Sequence, residues 1–323
     1  MNPLITVIEP EGPEEWFAPL KQYFDVRFYR PSEALTPDRV SSLLAPSFGV
    51  VVTSATSISG EQMDGAVGLK IIAKCGGAPS NIDVPHARRR GIVVTCTPGA
   101  NTTAIAEYTV MLMIAALRGF DRHLSVIRRG QWRSAGSLLG HDLKDAAVGI
   151  VGLGAIGTEV VKRLQPFGCK IHVYTPHPVA RRGCDFVGSL EELISLCDVV
   201  SLHCPVTPQT VNLFNAEKLR LMRPGSILIN TARGALVDEA ALSAALKSGP
   251  LGAAAVDVFQ QEPPPPDYPL LSCENALLTP HSSGWTLEAL RRECVGAVDS
   301  IIAFRRGRPV PGLLTRSFFN ARR

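Results

Sequence analysis

The sequence has no cysteines at metal or redox spacing. Its eight cysteines are scattered, with no CxxC pair and no histidines at zinc-ligand distance. No structural zinc or other metal site is therefore expected. Most of the cysteines lie in apolar stretches, where a free thiol behaves as a small hydrophobe, and this points to a reducing cytoplasm. The N-terminal segment has no basic flank followed by an apolar core, so no secretory signal is read. The longest apolar run, Val110 to Leu117, falls far short of the ~20 residues that cross a bilayer. No membrane association is expected. Charge of one sign is not in excess either: 33 basic against 29 acidic residues leave +4. That surplus is small and dispersed, which argues against a nucleic-acid partner. The densest basic run, Arg88-Arg89-Arg90, precedes Gly91 and an apolar triplet, and reads as a helix C-terminus favoured by its dipole.

What is present is a glycine fingerprint in mid-chain. Ala146 to Val151 reads as a strand, Gly152-Leu153-Gly154-Ala155-Ile156-Gly157 as a tight turn, and the run to Phe167 as a helix. This is the layout of a dinucleotide pyrophosphate site. Gly152 permits the turn, Gly154 lets the backbone approach the phosphates, and Gly157 lets the helix pack closely on the strand. The helix N-terminus then faces the anion. A domain's worth of chain precedes the motif, and 323 residues accommodate two domains.

Short apolar runs alternate with helix-like segments on both sides of the fingerprint. Before it, Leu4–Ile8, Val26–Tyr29, Gly49–Val52, Leu69–Ala73 and Ile92–Val94 read as strands. After it, Lys170–Tyr174, Asp198–Leu202, Ser226–Asn230, Ala253–Val258 and Ala276–Thr279 do so. Such alternation implies parallel sheets covered by helices. With the fingerprint strand, the second set makes a six-stranded Rossmann sheet. Asn101 to Leu117 reads as a long, mostly apolar helix, and Leu287 to Phe304 as a core helix.

Ligands of doubly wound sheets bind beyond the carboxyl ends of the strands. Arg233 follows the fourth strand of this sheet, Glu262 the fifth and His281 the sixth, so topology alone brings them to one rim. Arginine binds a carboxylate by two parallel hydrogen bonds. Histidine exchanges a proton with a carbonyl or alcohol oxygen near neutral pH, and a carboxylate beside it orients the ring. Next to a nicotinamide, these three are the parts of a hydride-transfer site for a 2-oxo or 2-hydroxy acid.

These residues lie in segments that resemble the D-isomer-specific 2-hydroxyacid dehydrogenases. The matching stretches are Asn81-Ile82-Asp83, Thr97-Pro98-Gly99 with Asn101-Thr102, Val148 to Gly157, Ser201 to Pro205, Asn230 to Gly234, Asp257-Val258-Phe259 with Glu262-Pro263, and Thr279-Pro280-His281. They cover nearly the whole chain in the family's order. The resemblance implies an α/β fold of two doubly wound domains, a Rossmann NAD(P) domain (residues 100–285) inserted in a flavodoxin-like substrate domain (1–99 and 286–323). It implies Arg233 as the substrate-binding cation, His281 as general acid/base and Glu262 as its partner. Asp257 would contact the nicotinamide amide. Ala155, Ile156, Cys204, Pro205, Thr231 and Ala232 would line the cofactor with the three glycines. The backbone of Gly76, Gly77 and Ala78 would hold the substrate carboxylate, with Asn101 near it. The family also implies a homodimer built on the long helix after residue 100 and the arm that follows.

Three departures from the family pattern refine this. Thr175 stands where an acidic residue usually binds the ribose, and His177, Arg181 and Arg182 follow. Loss of the carboxylate removes repulsion against a 2′-phosphate, so NAD or NADP is expected, with NADP favoured. Pro79 stiffens the substrate loop and removes an amide donor. Thr53 replaces an arginine common in phosphoglycerate dehydrogenases, which favours small unphosphorylated acids such as glyoxylate or hydroxypyruvate. Trp285, after Gly284, would cap the pocket or pack on the hinge. The competing readings are a dinucleotide-sensing, corepressor-like binding protein, a phosphoglycerate dehydrogenase-like activity, and a formate- or phosphite-type dehydrogenase.

Overall fold

The computed structural model describes residues 2–33, 35–133, 139–177 and 183–315. The chain divides into two compact units, residues 1–101 with 285–323 and residues 102–284.

In the first unit, β1 (Leu4–Ile8), β2 (Asp25–Tyr29), β3 (Gly49–Val52), β4 (Ile71–Lys74) and β5 (Val93–Thr95) pair in parallel in the order β2-β1-β3-β4-β5. Successive side chains of a strand point to opposite faces, so each apolar run feeds two cores. Val50 and Val52 pack with Ile72 and Val94 on one face. Val51, Ile71 and Val93 face the other, against Phe17, Leu20 and Phe24. The helix Leu287–Arg305 returns to this second face through Cys294, Ala297, Val298 and Ile301. It starts where the Thr286 hydroxyl accepts the Ala289 N–H at 3.1 Å, an N-cap worth about 1 kcal/mol. The run Arg88–Arg90 forms the last turn of the helix Val84–Arg90, which Gly91 ends with φ 73°. Arg90 there pairs with Asp64.

The second unit holds seven parallel strands. They are β6 (Ala147–Val151), β7 (Lys170–Tyr174), β8 (Asp185–Phe186), β9 (Val199–Leu202), β10 (Ile227–Asn230), β11 (Ala253–Val256) and β12 (Ala276–Leu278). Their order is β12-β11-β10-β9-β6-β7-β8. Six of these match the sequence expectation. The seventh, β8, is a two-residue edge strand on β7, too short to leave a periodic signal. β11 ends at Val256, so Asp257 lies just beyond the strand rather than within it. The helix Thr102–Leu117 lies against the helix Ala155–Leu164. Both cover the face formed by Val148, Ile150, Val173 and Ile229. The opposite face, with Val151, Val200, Leu202 and Leu228, buries Leu193, Leu219 and Leu242 from the remaining helices. Strands buried on both faces explain the near-continuous valine, isoleucine and leucine runs.

Candidate active site

All strands of the second unit's sheet point the same way, so every loop after a strand opens on one edge. After β6, Gly152 adopts φ 94°, a region most residues avoid. A Cβ there would also meet the His203 carbonyl oxygen at 2.7 Å and the Cys204 nitrogen at 2.9 Å. The glycine turn therefore lies directly on the backbone that follows β9, beside Cys204 and Pro205. A Cβ on Gly157 would sit 2.3 Å from the Gly152 carbonyl oxygen, so only glycine lets the helix start this close to the strand. A Cβ on Gly154 would meet nothing. No side chain caps the helix that begins at Ala155. Gly154 and Ala155 are exposed and Ile156 is half-buried. An open glycine at an uncapped helix N-terminus fits a phosphate group. His203, behind the turn, shares a 2.9 Å hydrogen bond with the Ser201 hydroxyl, and burial pushes its imidazole down to about 4. It is neutral at physiological pH.

Thr175 follows β7 and is half-buried, and His177 is exposed. Arg181 and Arg182 lie outside the described residues.

After β10, the chain turns on a buried amide. The Asn230 Nδ2 donates to the Arg233 carbonyl at 2.9 Å, and its Oδ1 accepts the Ala232 N–H at 3.1 Å. Gly234 then approaches β11's exit so closely that a Cβ would lie 2.0 Å from the Phe259 carbonyl carbon. This contact brings the Arg233 loop against the segment that carries Glu262. Arg233 is exposed, and its Nη1 donates to the Ala232 carbonyl at 2.6 Å. Among the described residues it pairs with no carboxylate, leaving guanidinium donors for an anion.

After β12, His281 takes a left-handed conformation, φ 51°. Two carbonyls hold it there: its N–H donates to Asp257 at 2.8 Å and to Thr279 at 3.0 Å. Its Nδ1 lies 2.7 Å from Glu262 Oε2, while Glu262 Oε1 accepts the Phe259 N–H at 3.0 Å. An ionised carboxylate only accepts hydrogen bonds, so the proton sits on Nδ1 and Nε2 is left for a ligand. Arg233, Glu262 and His281 therefore lie on one rim, as topology requires.

Two residues expected at the cofactor are buried. Asp257 is 0 % exposed. Its Oδ1 accepts the Thr279 hydroxyl at 2.6 Å and the Ser282 N–H at 2.9 Å, and its Oδ2 accepts the Ser283 N–H at 2.9 Å. Its carboxylate holds the histidine loop. Thr231 is buried too, its hydroxyl 2.8 Å from that of Thr109. Ala232 beside it is half-buried.

Asn230, Asp257 as a loop anchor, and Glu239 were not read from the sequence. Glu239 opens the helix Glu239–Ser248 behind the site and accepts the Gln260 N–H at 2.9 Å. Burial raises its carboxyl to about 7, and the neighbouring Glu262 charge adds to the rise. The available signal was Asp238-Glu239 at a helix start, which reads as capping alone.

The first unit holds the other expected substrate residues. Gly76, φ 120°, is locked to Thr97: the Gly76 N–H donates to the Thr97 hydroxyl at 2.9 Å, and the Gly76 carbonyl accepts the Thr97 N–H at 2.9 Å. Its amide thus donates to Thr97. The amides of Gly77 and Ala78 have no acceptor among the described residues. Asn101, the last residue of the unit's first segment, is half-buried.

A profile of the NAD-binding domain of D-isomer specific 2-hydroxyacid dehydrogenases matches residues 110–283. The chain belongs to this family. The enzyme is 38 % identical to a glyoxylate reductase of Thermofilum pendens, over 96 % of this chain and 94 % of that one. It is 38 % identical to a hydroxypyruvate reductase of Thermotoga maritima, over 84 % and 89 %. A solved structure from Thermus thermophilus superposes with a TM-score of 0.89 at 37 % identity, covering 96 % of this chain and 99 % of that one. The dehydrogenase is thus an NAD(P)-dependent oxidoreductase of two parallel-sheet α/β units. No single helix among its described residues is long and apolar enough to cross a membrane.

Proposed function

We propose that the enzyme reduces short unphosphorylated 2-oxo acids, glyoxylate and hydroxypyruvate foremost, to the corresponding 2-hydroxy acids. The observation that carries this is the 2.7 Å His281–Glu262 bond on the same rim as Arg233. A bound dihydronicotinamide supplies the hydride. Arg233 grips the substrate carboxylate and orients the carbonyl. His281 Nε2 hydrogen-bonds the carbonyl oxygen and gives it a proton as hydride arrives at carbon. Glu262 keeps the ring in the Nδ1–H form and stabilises the charged imidazolium that precedes transfer. Gly77 and Ala78 supply amide donors to the substrate carboxylate. Residues 1–99 and 286–323 make up the substrate-binding domain, and 100–285 the dinucleotide-binding domain that also carries Arg233, Glu262 and His281.

The cofactor is NADP in preference to NAD. Thr175, with no carboxylate, supports this, as does the exposed His177 beside it. Gly152, Gly154, Ala155, Ile156, Gly157, Cys204, Pro205 and Ala232 line it. The chain works as a homodimer: the helix Phe120–Arg128 buries none of its residues. Phe120, Ile127, Trp132 and Leu139 are 53 %, 54 %, 78 % and 78 % exposed, an apolar surface that a second copy would cover. A cytoplasmic setting agrees with the cysteines, no two of which are joined in a disulfide.

The test is absorbance at 340 nm with glyoxylate, hydroxypyruvate, pyruvate and phosphohydroxypyruvate, each with NADH and NADPH. Fast oxidation of NADPH by a small unphosphorylated acid is expected. A strong preference for NADH would overturn the cofactor assignment. Silence with every acid, in a protein that still binds the dinucleotide, would favour a sensing role.

A further inference from the structure

The first unit's strand order, β2-β1-β3-β4-β5, reverses direction between β1 and β3, and ligands of open parallel sheets bind beyond the strands at such a switch. Three ionisable side chains gather at that edge. Lys74, the last residue of β4, is only 2 % exposed, and its Nζ donates to the Ser54 hydroxyl at 2.9 Å and the Cys75 carbonyl at 3.4 Å. An ammonium has three donors, so one has no acceptor among the described residues. Nζ also lies 2.9 Å from where a Cβ of Gly76 would stand, directly beneath the loop with the open Gly77 and Ala78 amides. Two carboxylates flank this cation electrostatically. Glu293, on the helix Leu287–Arg305, is 7 % exposed. Glu11 follows β1 and is exposed, as is Trp285 at 63 %. Lys74 and Glu293 are thus buried, while Glu11 and Trp285 are exposed.

We propose that Glu11, Lys74 and Glu293 form the subsite that reads the substrate's tail, selecting an uncharged, hydroxyl-bearing tail over a phosphorylated or a methyl one. The inference rests on the 2-oxo acid reductase reading. A hydroxyl both donates and accepts: it accepts the spare Lys74 N–H and donates to a flanking carboxylate. A methyl group leaves those buried polar atoms unpaired, which is costly. A phosphate brings two negative charges to a cluster that already holds two carboxylates against one cation. Burial raises the Glu293 carboxyl to about 7, with the Glu11 charge adding to the rise, and a site that resists its own anion resists another.

The experiment compares kcat/KM for hydroxypyruvate, pyruvate and phosphohydroxypyruvate. Each is divided by the value for glyoxylate, which has no tail, in the same full-length variant. The wild type is expected to prefer hydroxypyruvate to both others by about tenfold or more. Lys74→Met should lower the hydroxypyruvate-to-pyruvate ratio about tenfold. The double change Glu11→Gln with Glu293→Gln should raise phosphohydroxypyruvate relative to hydroxypyruvate about tenfold. If Lys74→Met does not fold, the double variant decides. Ratios within about twofold of wild type in the variants that fold would overturn the inference. A wild type that reduces glyoxylate without separating the tails overturns it while leaving the reductase reading intact. A wild type that reduces none of the acids overturns both.

Discussion

The backbone N–H of His281 donates to the carbonyl of Asp257 at 2.8 Å, while the Asp257 carboxylate takes three more hydrogen bonds from residues 279 to 283. One buried aspartate thus folds the loop that presents the histidine in a left-handed conformation, which by itself costs on the order of 1–3 kcal/mol. Asp257→Ala leaves the three donors unpaired. Stability should fall by about 3 kcal/mol, and kcat should fall with it as His281 loses its place. Urea unfolding and steady-state kinetics on the same preparation check this; unchanged values in both would contradict the anchoring role.

Glu262 is joined to His281 by one oxygen and to the Phe259 N–H by the other. Glu262→Gln keeps the size and removes the charge that stabilises the imidazolium. A fall in kcat of about 10- to 100-fold is expected, with dinucleotide affinity little changed. The comparison is kcat against the Kd from nicotinamide fluorescence. A parallel loss of cofactor binding would point to a structural role for the carboxylate.

The last two glycines of the fingerprint should separate folding from binding. A Cβ at Gly157 would overlap the Gly152 carbonyl, whereas one at Gly154 would point into open space. Gly157→Ala should lower Tm and weaken the cofactor. Gly154→Ala should leave Tm within a few degrees and weaken the cofactor alone, by about tenfold or more. Equal Tm losses in the two variants would refute the assignment of the open space to the pyrophosphate.

The supersecondary frame of this fold was legible because parallel strands buried on both faces write long apolar runs, and because glycine and proline punctuate them. The rim residues were legible for a related reason: topology sends the end of every strand to one edge, so Arg233, Glu262 and His281 could be placed together without coordinates. Buried polar groups were not legible. Asn230, Glu239, Lys74 and Glu293 are charged or amide residues that a sequence reads as solvated, and the anchoring bonds of Asp257 left no pattern to read. Their partners arise from packing of separate segments, as when Lys74 meets Ser54 and Glu239 meets Gln260. The two-residue β8 was missed because it has no period to detect.

Glu239 gives a pH dependence of known sign. Its carboxyl is raised to about 7 in the folded protein from an ordinary 4.5, chiefly by burial. Between these values the folded state binds more protons than the unfolded one, so this group lowers stability as pH rises from about 4.5 to 7. The stability it contributes is fully present below pH 4.5 and lost above 7. Glu239→Gln removes that dependence. The variant's advantage over wild type should grow between about pH 5 and pH 8, by at most about 3 kcal/mol. Chemical denaturation at both pH values measures it. An advantage that shrinks with rising pH would show that the carboxylate is well accommodated where it sits.

The most direct test of the assigned chemistry is the turnover of His281→Ala beside wild type, followed at 340 nm with glyoxylate and NADPH, with dinucleotide affinity measured on both proteins. The expected result is a loss of about 100- to 10,000-fold in kcat with cofactor affinity retained. Turnover near that of the wild type would contradict proton transfer through His281, and with it the assigned chemistry.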